Sequence, residues 1–231
     1  MSRRVEVSTI IFKDRDDASI SLVEILPKMI LKPQETVVLG VSEGGVYFAD
    51  RVAKTLGCRM DLLLTEPIYS PVNPALAIAM VGETEELVMH QALINSFEIS
   101  KDYIYSEASR RYKESILTYI HKYRNGRVLE GLDEKYVVLV DECVETGLTM
   151  MTAIKTVISL GAKNVFIAVP ILDNVVYESL LNVCDNLFCP HKIDDYVSIE
   201  YYYEQLDPFS FEDIETVMND NQKRNEKIKE Q

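Results

Sequence analysis

Short apolar runs alternate with longer amphipathic stretches along most of the chain. Residues 5–12 are rich in β-branched side chains and end at the charged turn Lys13-Asp14, which predicts a first strand. Asp16, Asp17 and Ser19 offer caps to a helix reaching residue 31, kinked or divided at Pro27 and ended by Pro33. The run Val37-Val38-Leu39-Gly40-Val41 predicts a buried strand, followed by a glycine turn and a helix over 46–56 closed by Gly57. Residues 60–64 predict the next strand. Pro67, Pro71 and Pro74 then break the pattern, and 76–81 returns as a strand. Residues 100–124 predict one long polar helix whose tyrosines (103, 105, 112, 119 and 123) read as packing of an outlying helix onto the core, with Asn125-Gly126 as its stop.

The alternation then resumes. Strands are expected at 136–140, 164–170 and 185–189, with helices at 149–160 and 175–182 between them. Ser210 caps a last helix through 217, and 219–231 reads as a polar tail without an apolar stripe, frayed or disordered. Strands alternating with helices imply an α/β fold, a mostly parallel sheet flanked by helices. A single domain over 1–218 is expected, with 67–126 inserted as a hood or flap. Right-handed crossovers put the two glycine turns, after Val41 and after Val140, on one edge of that sheet, where such folds take ligands.

Charge narrows the partners. The net charge of −13 disfavours nucleic acid, which needs a cationic surface, and anionic membranes for the same reason. The basic start Arg3-Arg4 is followed by too short an apolar run for a secretion signal, so a cytoplasmic location is expected. The four cysteines have no disulfide-framework spacing, and Cys184, Cys189 and His191 lack a fourth partner for zinc. The tyrosine-rich helix offers a surface for a homo-oligomer.

The chemistry concentrates after the strand at 136–140. Asp141 and Glu142 stand at its end, and Thr146-Gly147 opens a helix that continues through Thr149. A helix start presents free N–H groups and the positive end of its dipole, and Gly147 lets a ligand approach the backbone. Two threonine hydroxyls add donors. That is a phosphate cradle with carboxylates at its mouth, suited to ribose hydroxyls or a hydrated magnesium.

The run Val138-Leu139-Val140-Asp141-Glu142-Cys143-Val144-Glu145-Thr146-Gly147-Leu148-Thr149 resembles the signature of type I phosphoribosyltransferases. Two further motifs, Ser42-Glu43-Gly44-Gly45 and Val72-Asn73-Pro74-Ala75-Leu76-Ala77-Ile78-Ala79, resemble a bacterial phosphoribosyltransferase group in the same order. The resemblance implies that Cys143, Val144, Thr146, Gly147, Leu148 and Thr149 hold a 5-phosphate. It implies that Asp141 and Glu142 hold the ribose hydroxyls, directly or through magnesium, and that Glu145 exchanges a proton with the base. Ser42, Glu43, Gly44 and Gly45 would face the pyrophosphate. The implied ligands are phosphoribosyl pyrophosphate or a nucleoside monophosphate, with magnesium as cofactor.

Two positions depart from the group. Glu43 replaces an Arg, and Thr65-Glu66 replaces an Arg-Lys pair. Unit charges ~4 Å apart interact by roughly 4 kcal/mol at an effective dielectric of ~20, so each exchange turns attraction for pyrophosphate into repulsion. Three readings follow: transfer of a phosphoribosyl group between pyrophosphate and a nitrogenous base, non-catalytic binding of a nucleotide or sugar 5-phosphate, and a protein–protein module on the same fold.

Overall fold

The computed structural model describes residues 10–229. The strand expected at 5–12 lies mostly outside them. Its described end is not a strand: Phe12 makes one isolated bridge to Tyr203. Helix α1 (Arg15–Glu24) is capped by the Asp14 side chain and stops at Ile25, short of the expected residue 31, because Pro27 lies immediately beyond.

The central sheet has β1 (Thr36–Gly40), β2 (Arg59–Leu62), β6 (Tyr136–Val140), β7 (Asn164–Ala168) and β9 (Asn186–Phe188) in the order β2-β1-β6-β7-β9, all parallel. Both faces are buried, as the unbroken apolar runs require. Val38, Val138 and Val140 pack on one side with Phe48, Val52 and Ile104. Val37, Leu39, Val137, Leu139 and Ile167 pack on the other with Ile154 and Val157. The crossover helices are α2 (Glu43–Leu56), α6 (Leu148–Ser159) and α7 (Asn174–Leu181).

The hood has its own sheet, the antiparallel order β3 (Thr65–Tyr69), β4 (Ala77–Gly82) and β5 (Leu87–Met89). After the short α3 (Gln91–Ser96), the expected single long helix is three pieces: α4 (Lys101–Arg111), a π-helical segment at Tyr112–Ile116, and α5 (Leu117–Arg124). Buried Arg124 at its end pairs with buried Glu83 at 2.5 Å and ties the hood to itself. A second small pair, β8 (Ile171–Asp173) with β10 (His191–Ile193), runs parallel beside α7.

The last helix corrects the expectation of a frayed tail. Helix α8 runs through Phe211–Lys229. Ile214 and Met218 seat it in the core, but beyond them its holding contacts are polar, which is why no apolar stripe announced them. Asn221 is buried and donates to Asp50 at 3.0 Å, while Asn225 bonds the backbone of Met60 in β2. Among the described residues no helix is long and apolar enough to cross a membrane.

Candidate functional site

The two glycine turns meet at the C-terminal edge of β1 and β6. Helix α2 begins at Glu43, three residues before the expected start, because the Ser42 side chain accepts from the Gly45 N–H at 2.9 Å and caps it. The same Ser42 hydroxyl donates to Asp141 Oδ1, which also accepts from the Glu142 N–H at 2.7 Å. One carboxylate therefore latches both turns. Only glycine permits this closeness: a Cβ on Gly45 would stand 2.8 Å from the Val140 carbonyl oxygen.

Asp141 is 7% exposed, and burial pushes its carboxyl up to about 7, against the opposing bonds from Ser42 and the Glu142 N–H. Glu142 lies over Gly44 and pairs with Arg15 Nε at 2.5 Å. Arg15 also donates to the Asp207 carbonyl. The sequence expected both carboxylates to stand open to a ligand; here one is buried in the junction and the other is held by α1. One oxygen of each carboxylate, Asp141 Oδ1 and Glu142 Oε1, accepts from these donors, and among the described residues no group of three potential metal ligands gathers.

The turn at 143–149 divides. The Val144 N–H is spent on the Ile171 carbonyl at 3.1 Å, and its own carbonyl accepts from Asp173, so Val144 is not one of the cradle's donors. Cys143 accepts a 3.6 Å bond from the Tyr196 hydroxyl, and burial pushes its thiol up to about 12, which makes it no nucleophile. From Glu145 the turn opens. Glu145 and Thr146 are exposed and Thr149 half-buried. Gly147 adopts φ +76°, a left-handed conformation, at the N-cap of α6; lacking a side chain it caps nothing, and the Thr146 hydroxyl accepts only a long 3.5 Å bond from the Leu148 N–H. That helix start opens on the space beside Thr146, Leu148 and Thr149.

A cavity of about 550 Å³ joins Ser42 and Glu43 of one turn to Glu145, Thr146, Leu148 and Thr149 of the other. The hood covers it with Glu66, Tyr69, Tyr119 and Tyr123, and α8 adds Phe211 and Ile214. Glu43 and Glu66 thus both face the site. Arg111 stands 3.6 Å from Glu66; burial raises the Glu66 carboxyl and Arg111 opposes it. The sequence reading missed Arg15, Arg111 and Phe211, and it assigned Tyr119 and Tyr123 to core packing. Only the helical spacing of the tyrosines hinted at a shared face.

Residues 21–205 match the model of the phosphoribosyl transferase domain. The chain belongs to the phosphoribosyltransferase family. A solved relative, TT1426 from Thermus thermophilus, is 30% identical with a TM-score of 0.75 over 91% of this chain and 99% of its own. A candidate phosphoribosyl transferase of Mycobacterium tuberculosis (strain H37Rv) is 28% identical over 179 residues, 78% of this chain. The counterpart from strain CDC 1551 gives the same values. The chain spans 40% of the length of those two proteins. The family match contains both turns and the hood, and excludes Arg15, Asp207, Phe211 and Ile214.

Proposed function

We propose that the crevice between the two turns binds a 5-phosphorylated ribose and transfers a phosphoribosyl group between pyrophosphate and a nitrogenous base. The observation that carries this is the start of α6 behind Gly147, held by no more than a long bond to Thr146 and opening on a cavity large enough for a nucleotide-sized ligand. Thr146, Gly147, Leu148 and Thr149 would take the 5-phosphate, and Glu145, exposed at the rim, would exchange a proton with the base. Departure of pyrophosphate would build positive charge on the ribose ring, next to the carboxylates. Magnesium, which this family generally uses with phosphoribosyl pyrophosphate, would have to share Glu142 with Arg15, which holds its Oε1.

A second reading, a non-catalytic binder of a nucleotide or sugar 5-phosphate, is favoured by one specific observation. Glu43 and Glu66 line the cavity where the resembling group carries cations, and their carboxylates disfavour pyrophosphate. Calorimetry with ribose 5-phosphate, a nucleoside monophosphate and phosphoribosyl pyrophosphate, each with and without magnesium, separates the readings. Transfer requires binding of all three, with phosphoribosyl pyrophosphate tightened by magnesium. Binding of monophosphates alone selects the second reading. Thr146→Ala with Thr149→Ala should weaken every phosphate ligand about tenfold; unchanged affinities would remove the cradle from both.

A further inference from the structure

The cavity under the hood is acidic and aromatic. Glu43, Glu66 and Glu145 line it, and among the described residues no Lys, Arg or His does. Arg111 answers Glu66 from behind, at 3.6 Å, while among the described residues Glu43 and Glu145 have no comparable partner. Burial raises the Tyr119 hydroxyl, Glu66 and Glu43 add to it and Arg111 opposes it. Tyr69, Tyr123 and Phe211 supply aromatic faces.

A second observation is independent of the carboxylates. Tyr123 lines the cavity and is 5% exposed, yet its hydroxyl has no hydrogen-bond partner among the described residues. The hydroxyl oxygen is itself buried, so what Tyr123 presents to the cavity is its ring. Phe211 and Ile214 close the same wall from α8, beyond the residues that match the family. The ligand chemistry here is therefore set in part by a segment outside the family match.

We propose that this cavity binds a planar ligand bearing an amidine or amine cation, with the charge on Glu43 and Glu66 and the ring against Tyr123 and Phe211. An amidinium can share two N–H donors with a carboxylate, and aromatic faces attract cations as well as rings. The ligand is not thereby the acceptor of a transfer, since Glu43 and Glu66 stand where the phosphoribosyl reading puts pyrophosphate; the cavity's charge and walls carry the inference without that reading.

Benzamidine, benzamide and benzoate test it, because they share a ring and differ in charge. Each is titrated at low salt into the unaltered protein and into Glu43→Gln with Glu66→Gln, and ribose 5-phosphate is titrated separately into the unaltered protein. Benzamidine should bind at least tenfold more tightly than benzamide, and benzoate more weakly still. The double variant should lose at least tenfold for benzamidine alone, and Phe211→Ala should weaken both benzamidine and benzamide. Equal binding of the three probes, no binding of any, or a benzamidine affinity untouched by the double variant overturns the proposal. Loss of ribose 5-phosphate binding with the benzamidine pattern intact counts against the phosphoribosyl reading and supports this one standing alone.

Discussion

Asp141 joins the two turns by accepting from both, and burial makes it keep its proton unusually long. Its folded value of about 7 lies above the ordinary 3.8 because burial penalises the charge. Between those values the folded chain binds a proton that the unfolded chain releases, so stability from this group is present below pH ~4 and is lost as pH rises through ~7. Asn at this position keeps an acceptor for Ser42 and for the Glu142 N–H but has no charge to bury. Asp141→Asn should therefore raise Tm relative to the unaltered protein at pH 8 by about 3 °C more than at pH 5, read by thermal denaturation at both. A difference independent of pH would mean the carboxyl is ionised throughout. Glu142 poses the opposite case. Its carboxylate is engaged by Arg15, a residue outside the family match, so Arg15→Gln should free it. Calorimetry with phosphoribosyl pyrophosphate and magnesium should then show several-fold tighter binding; weaker binding would make Arg15 part of the ligand site.

At the scale of elements, the strands of the sheet were plain in the sequence because burial on both faces demands runs such as Val137-Val138-Leu139-Val140. The glycine turns were equally plain, since their close approach excludes any side chain. Gly45→Ala should accordingly lower Tm by several degrees, as its Cβ would press on the Val140 carbonyl, a backbone atom that cannot swing away. Chemical denaturation of the variant gives the direct check. Helix continuity was harder to read. Nothing in Tyr112–Ile116 breaks helical spacing, yet the segment widens to a π-helix there, and such segments arise from packing that a single strand of text does not contain. The continuation of α8 past residue 217 was missed for a similar reason. The helix's buried positions include Asn221 along with Ile214 and Met218, and a buried asparagine reads as a polar surface residue until its partner, Asp50, is known.

For the molecule as a whole, the candidate site was legible where chain neighbours make it and illegible where distant segments do. The phosphate turn is local. The cavity's cover joins residues as far apart as Glu43, Tyr123 and Phe211, and no periodicity links them. Helix α8 takes part in both site and core, so truncation before Phe211 should cost more than an aromatic wall. Ile214 and Met218 are buried in the main core, and their loss should lower Tm by roughly 10 °C or leave the chain insoluble. A truncated chain that melts unchanged would place α8 outside the folding unit.

Asn225 gives that helix one more consequence. Its side-chain amide accepts from the Met60 N–H at 3.3 Å and donates to the Met60 carbonyl at 2.9 Å. β2 is an outer strand of the sheet, and such rims are templates on which a second chain can zip itself into a growing fibril. The asparagine imitates a neighbouring strand for the length of one residue and occupies the rim at its middle. Helix α8 packs along that rim, and Asn225 takes the hydrogen bonds a second chain would need at Met60. Asn225→Ala should leave the fold intact but shorten the lag before light scattering rises in a concentrated, warmed solution.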